Sequence, residues 1–479
     1  MTTTVNLRKM LDRKQHEMCA PLPVASAAGA CIIEAYPAGA GISTGTTAGT
    51  AARPSNTAIY TAGASAFYQY KAEEDGWVLL PASGIGGTFG AGACGAYHHN
   101  GPTGTASAGS ATTITTTTTI GVSLAGYKIR LTGGTNAGQE AVIVSNTIGA
   151  NSVITVASWP GGTPDNTTTY LLLSGRFYFI FPAGTPGMRY WDHATQTWSS
   201  ALTVTGLTHA GTDGRLMATP AAADVFASGT ATSATGTTIV DSGKSWTSSQ
   251  WINYQVRITG GTGKGQVRTI TASTGTTLTV ATWTVTPDAT STYAIEGNDD
   301  YLYFIGNAST SIFRYSISGN SWSSLTARGG ASAAGASFSW IYGATSSVWT
   351  NENTILNGRR IYSFRGGAVS TLDYYDIPSN TWTNALAYSR AAETFTTGSS
   401  VCYDGENYIY IQKDATGRLF RFDVTTSELD GWGTNLFTQG AAVVGNKLFC
   451  CSYVDGATTI KYVYKVLNTS TALFRCMVI

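Results

Sequence analysis

Charge is scarce in this chain. Only 11% of its 479 residues are Asp, Glu, Lys or Arg, and 28 basic against 27 acidic side chains leave a net charge of +1. Nothing in so balanced a composition suggests a nucleic-acid groove or an acidic partner. No run of 18 apolar residues occurs, so no membrane-spanning helix is expected. Pro21 and Pro23 interrupt the apolar stretch that follows Arg8, Lys9, Arg13 and Lys14, so a cleaved leader is not expected either. Helical periodicity is nearly missing: Leu7, Met10 and Leu11 mark one short helix between Asn6 and Glu17.

Metal-binding and redox residues are sparse too. The five histidines show no ligand spacing, and the seven cysteines include no CxxC pair. His98-His99 reads as an exposed loop pair, because adjacent residues on a strand point to opposite faces. Asp299-Asp300 and Glu73-Glu74-Asp75 lack the order of a calcium loop and read as solvated turns. Gly260 to Gln266 has a Lys but no Ser or Thr directly after it, so it reads as a glycine-rich hairpin turn and not a phosphate loop. No cofactor, metal or catalytic set is expected. The odd cysteine count leaves at least one thiol without an intrachain partner, and Cys19 and Cys31 are the candidates for an intersubunit contact.

What the chain does have is glycine (56 residues), threonine in blocks and aromatics at regular intervals. Such a composition fits short strands joined by many turns. Arg359 to Leu386 shows the pattern best. Ile361, Ser363 and Arg365 alternate with Tyr362 and Phe364 as in a strand, Gly366-Gly367 ends it, Leu372 to Ile377 is a second strand, Pro378-Ser379-Asn380 a turn, and Trp382 opens a third. The phrase recurs: an aromatic lies seven residues before a Trp at Tyr70/Trp77, Trp191/Trp198, Tyr315/Trp322 and Tyr375/Trp382. Phe422 and Trp432 make a looser copy, and Lys447 to Tyr464 a sixth without the Trp. A sheet of this kind cannot bury both faces alone, so six copies predict an all-β propeller.

Gly366, Gly367, Tyr375 and Trp382 resemble the kelch repeat, whose blades carry a glycine pair, then Tyr, then Trp. The resemblance implies a six-bladed propeller in which Trp77, Trp198, Trp322, Trp382 and Trp432 mark equivalent blade positions. Some kelch-like propellers are copper oxidases and others glycan hydrolases, but neither ligand set is visible here. Arg328, Arg359, Arg360, Arg365, Arg390 and Arg418 are many, yet the sequence does not place three around one site.

A second repeat lies between the blades. Tyr127 to Gly134 parallels Tyr254 to Gly261, and Trp159, Pro164-Asp165 and Tyr170 parallel Trp283, Pro287-Asp288 and Tyr293. Each copy would make a small β barrel or sandwich. Removing both leaves blades of about 50 residues, the kelch period. The expected organisation is an extended N-terminal arm (1–50), blade 1 (51–103), a first inserted module (104–174), blade 2 (175–227), a second module (228–297) and blades 3–6 (298–479). Cys31 to Tyr36 or Leu473 to Ile479 would complete the last blade.

The inserted modules are similar to small β modules in structural proteins of tailed bacteriophages. That resemblance implies a non-enzymatic virion component (neck, collar, tail or head surface) whose partners are other virion proteins and copies of itself. The alternatives are an adhesin that stacks Trp159 and Trp283 on a host-surface glycan and, further off, a kelch-type glycan hydrolase.

Overall fold

The computed structural model describes residues 16–24, 31–34, 57–62, 66–71, 74–89, 93–159, 161–181, 187–208, 214–218, 225–306, 309–330, 338–341, 360–365, 370–385, 393, 395, 400–403, 408–413, 418–423, 426–433, 447–455, 458–466 and 473–478. Among them every regular element is a strand and none is a helix. The helix expected from Asn6 falls largely outside the described residues, and at its far end His16–Met18 is a strand.

The described strands form eight sheets in a propeller-like arrangement, six with four antiparallel strands and two with seven. In chain order the four-stranded sheets start at Cys31–Glu34, Cys94–His98, Gly214–Ala218, Phe338–Ile341, Ser400–Tyr403 and Lys447–Asp455. We number them one to six. Each starting strand lies beside that of the next sheet, and the sixth lies beside the first. The starting strands therefore line a ring.

The second strand of each sheet explains why the sheets stack. Arg176–Ile180, Tyr301–Gly306 and Arg360–Phe364 are apolar runs buried along nearly their whole length. Successive side chains point to opposite faces. Phe177 and Phe179 pack with Phe67 of the first sheet and Trp191. Tyr178 and Ile180 pack on the other face with Leu302 and Phe304 of the third sheet. Tyr303 and Ile305 then face Ile361 and Tyr375 of the fourth. Each strand so divides its side chains between two cores. The outermost strands are largely exposed: in Ser321–Ser324 only Trp322 is buried.

Closure joins the two ends of the described chain. The sixth sheet runs Lys447–Asp455, Thr458–Val466, Leu473–Val478 and then His16–Met18, so its outer strand comes from the N-terminal side. Cys31–Glu34 is a strand as expected, but it belongs to the first sheet, paired with Thr57–Ala62. Leu473–Val478 does belong to the last sheet. Beyond the closing strand, Cys19 and Leu22 are buried, and the Cys19 N–H donates to Leu473 O at 2.9 Å.

The seven-stranded sheets each use one continuous stretch. The first unit runs from Thr103–Thr105 to Thr169–Leu173, between the first and second strands of sheet two. The second runs from Val225–Thr230 to Thr292–Glu296, at the same place in sheet three. Numbered within each unit, both have the strand order 1-7-4-5-6-3-2. Each has its own core, around Ile129, Leu131, Ile143 and Tyr170 in one and Val256, Ile258, Ile270 and Tyr293 in the other. Gln255–Gly260 and Val267–Ser273 are antiparallel neighbours, so the glycine-rich segment between them is a hairpin turn.

Deleting residues 1–24 removes the closing strand and bares Leu473–Val478. Amide exchange in Thr458–Val466 is expected to accelerate at least about tenfold, equivalent to about 1.4 kcal/mol, while Tyr301–Gly306 keeps its protection.

Candidate functional site

The aromatic pairs predicted from spacing are real cross-strand pairs. Tyr70 lies opposite Trp77, Trp191 opposite Trp198, Tyr315 opposite Trp322 and Tyr375 opposite Trp382. Their ring centroids are 4.9 to 5.7 Å apart. The fifth copy differs from expectation: Phe422 faces Leu429, and Trp432 lies three residues further along the same strand. Spacing, not the Trp itself, marks the equivalent position. Gly366 and Gly367 lie outside the described residues.

Each pair belongs to a polar clamp on the preceding sheet. The indole N–H of Trp77 donates to Ala20 O, that of Trp198 to Pro81 O, Trp322 to Thr203 O and Trp382 to Thr326 O, at 2.8 to 3.3 Å. Each acceptor follows the outermost strand of the sheet before. The same acceptor residues are held by their N–H groups. Thr203 donates to Asn320 Oδ1 and Thr326 to Asn380 Oδ1, both at 3.0 Å, and Ala20 donates to Asp75 at 3.2 Å. Those side-chain oxygens also accept from the Tyr315, Tyr375 and Tyr70 hydroxyls at 2.6 to 2.7 Å. Asp75, Asn320 and Asn380 have φ of 44°, 43° and 53°, the left-handed region that Asn and Asp tolerate best among residues with a side chain.

Sheet two departs from this pattern in three places at once. Its acceptor is Pro81, which has no N–H to offer. Its turn carries Gln196, and its aromatic is Trp191, which has no hydroxyl. With the donors gone, no carboxamide is needed, and Gln196 instead donates to His193 O at 2.8 Å. The sequence shows the Asn or Asp two residues before Trp; the clamped residue itself, four or five after the preceding Trp, carries no distinctive side chain and was not legible.

At the joint between sheets three and four the clamp is reinforced by charge. Arg365 donates to Asp373 at 2.7 Å, while Arg328 lies 3.8 Å from the same carboxylate and donates to Ser363 Oγ at 2.7 Å. Arg328 and Asp373 are both buried, and burial pushes the Arg328 guanidinium down to about 10. Of the six arginines the sequence left unplaced, these two share one carboxylate. Arg360 covers the Tyr374 ring, Arg418 pairs with Glu393, and Arg359 and Arg390 lie outside the described residues.

The chain has no matching family model, and no curated protein matches it.

The two seven-stranded units meet at equivalent turns. A Cβ on Gly138 would stand 3.2 Å from Gly265 N and from Thr259 O; one on Gly265 would stand 3.3 Å from Gly138 N and from Thr132 O. These positions correspond in the two repeats, so the contact has local pseudo-two-fold symmetry. Both glycines have φ of 89°.

A buried ion network flanks the turns. Arg257 donates to Glu296 Oε1 at 2.6 Å and to Gly138 O, across the contact, at 2.8 Å. Arg130 reaches back from the first unit, 3.2 Å from Glu296 Oε2 and 2.9 Å from Glu140 Oε2. Lys128 completes it, 2.7 Å from Glu140 Oε1. Glu296 is fully buried. Burial opposes ionisation of Glu140, but Arg130 and Lys128 outweigh it and hold the carboxyl down at about 2. Burial likewise opposes the charge on Arg130, and Glu296 and Glu140 overcome it. The arginines recur in both repeats; the acids do not, since Val267 stands where the first unit has Glu140, and Leu173 where the second has Glu296. Repeat symmetry thus aligns the backbones, while substitutions that differ between the repeats supply the carboxylates the arginines share.

Several expected surface features are internal. His98 and His99 are 1% and 2% exposed, so the exposed-loop reading is corrected: the rings stack with centroids 4.6 Å apart where sheet two enters the first unit. Asp299-Asp300 is a turn as expected, half-buried, with Asp299 accepting from the Asn100 amide at 2.8 Å and Asp300 from the Ser318 N–H at 2.7 Å. Trp159 and Trp283 are buried in the cores of their units. Cys19 is buried; Cys31 lies in the first strand of sheet one.

Three variants test these contacts. Asn380→Gly keeps the left-handed backbone but removes the acceptor shared by Tyr375 and Thr326, and is expected to cost about 1–3 kcal/mol in chemical denaturation, more than Trp382→Phe. Glu296→Ala strands Arg257 and Arg130 and is expected to cost about 3–5 kcal/mol; Gly265→Val should loosen the units without melting either core, seen as faster amide exchange at Ala137, Gly138 and Gln266 alone.

Proposed function

We propose that the chain is a non-enzymatic structural component of a tailed-phage virion, a six-bladed kelch-like propeller carrying two inserted β modules. The four-stranded sheets are its blades, and the seven-stranded units its modules. The observation that carries this reading is the buried network joining Arg130, Glu140, Arg257 and Glu296. It fastens two repeated units, rooted in neighbouring sheets, to each other. Charges removed from water are costly and contribute little net stability; what they supply here is a fixed relative orientation. A fixed pair of appendages on a disc suits presentation and docking. The propeller faces and the N-terminal arm are the assembly surfaces in this reading, and other virion proteins and further copies of the chain are the partners.

The first unit offers one surface suited to being covered. Val142 and Val144 are 39% and 56% exposed beside a groove of 570 Å³ that also includes Ala125, Gly126 and Ala157. Thr269 and Thr271 stand at the matching positions of the second unit. Sugar stacking on Trp159 and Trp283 has no support, because both rings are enclosed.

The test is quantitative mass spectrometry of purified particles together with light scattering of the isolated protein. A fixed copy number per particle and a defined ring or array are expected. A monomer absent from particles that binds a glycan array would replace this reading with the adhesin.

A further inference from the structure

Three of the five histidines lie at one joint. His98 ends the first strand of sheet two, and the chain enters the first seven-stranded unit at Thr103. It leaves the unit at Leu173 and re-enters the sheet at Arg176. Gly175, in that return, donates its N–H to His99 O at 2.9 Å, and its carbonyl accepts from the His193 N–H at 3.1 Å. The His193 ring lies against Tyr127 of the unit, 5.5 Å between centroids. Entry and exit are therefore both bracketed by imidazoles.

One bond at His98 suits the neutral ring, while the Asp299 backbone favours the charged one. Its Nδ1 accepts from the Asn100 backbone N–H at 3.2 Å. The Asn100 side chain in turn donates to Asp299, at the entry to the second strand of sheet three. A proton on Nδ1 turns that acceptor into a donor facing a donor. The charged neighbours are mixed. Asp299, Asp300 and Arg176 face His98; Arg130 and His98 face His99; Asp192 faces His193. Arg130 carries the network with Glu140, Glu296, Lys128 and Arg257. Two stacked imidazolium rings would add like charge to each other, to Arg176 beside His98 and to Arg130 beside His99.

We propose that this joint is an acid-operated latch: on acidification His98 and His99 take up protons, the two connections between sheet two and the first seven-stranded unit open while that unit stays fastened to the second, and neutralisation restores the contacts. This stands apart from the virion reading and needs no partner.

Burial holds both rings below the ordinary histidine range, and lowers His193 as well, with Asp192 acting the other way. A ring whose proton affinity is depressed in the closed form favours closure fully above about pH 6.5. That preference is lost as pH falls, by about tenfold per pH unit for each such ring, until the closed-form value is reached.

The test is amide exchange of the full chain between pH 7.5 and 4.5, corrected for intrinsic rates. Asn100, Gly101, Gly175 and His193 are expected to lose protection together and reversibly, by at least about tenfold over one pH unit below about 6. Gln255–Gly260 and Tyr301–Gly306 should stay protected. His98→Asn keeps an acceptor near the Nδ1 position and removes the titration, so it should open at lower pH. Opening at the unchanged pH in that variant, or simultaneous loss of protection throughout the chain, overturns the proposal. Should the variant not fold, ring titration by carbon-13 histidine NMR of the unsubstituted protein decides. The proposal holds if His98 and His99 gain protons only as the joint opens, and fails if they titrate near 6.5 with the joint amides still protected.

Discussion

The structure depends on one constraint: a four-stranded sheet whose second strand is apolar on both faces must be covered twice. In Arg176–Ile180 the odd residues Phe177 and Phe179 enter one core and the even residues Tyr178 and Ile180 another. Burying a side chain of this size is worth roughly 1.5–3 kcal/mol, so a sheet left uncovered on either face forfeits several such terms. An open stack would always end in one bare face. A ring has no ends, and the contact of the sixth starting strand with the first removes them. Tyr70 and Tyr464, 5.4 Å apart, mark the seam.

Apolar stacking sets the neighbours but not their angle, because it has no direction. The clamps supply direction. A Trp N–H and an Asn or Asp oxygen seize the carbonyl and N–H of one residue on the preceding sheet, leaving little rotational freedom. Such a backbone residue would otherwise be an edge group with unmet hydrogen bonds. Ala20 is clamped in the same way as Thr203 and Thr326, so the seam is fastened by the device used elsewhere in the ring. Sheet two shows the rule by its exception, where Pro81, Trp191 and Gln196 change together.

The seven-stranded units obey a different logic. Each has a sufficient core, so their contact is not needed to bury apolar surface. Glycines at 138 and 265 permit backbone approach, and a charge network unequally divided between the repeats locks it. The histidine joint below is also polar and buried. Buried charge gathers where the units meet each other and at the joint between sheets three and four, where Arg328 and Asp373 are enclosed.

The sequence by itself determined the all-β character, the aromatic pairs with a spacing of seven, the three strands between Arg360 and Thr383, the hairpin at Gly260 to Gln266 and the parallel between the two units. All of these are local: they follow from a period of two, from turn chemistry and from similarity along the chain. It misplaced Trp432 because composition stood in for register, and it read His98-His99 as exposed because nothing in two adjacent polar residues reveals what covers them. Tertiary structure alone decided that His16–Met18 closes the sixth sheet, that Asp75 clamps Ala20, and that Arg130 shares Glu296 with Arg257. Those partners lie tens to hundreds of residues apart, and a hydrogen bond across such a gap leaves no periodic trace in sequence. It is set by which surfaces the ring brings together.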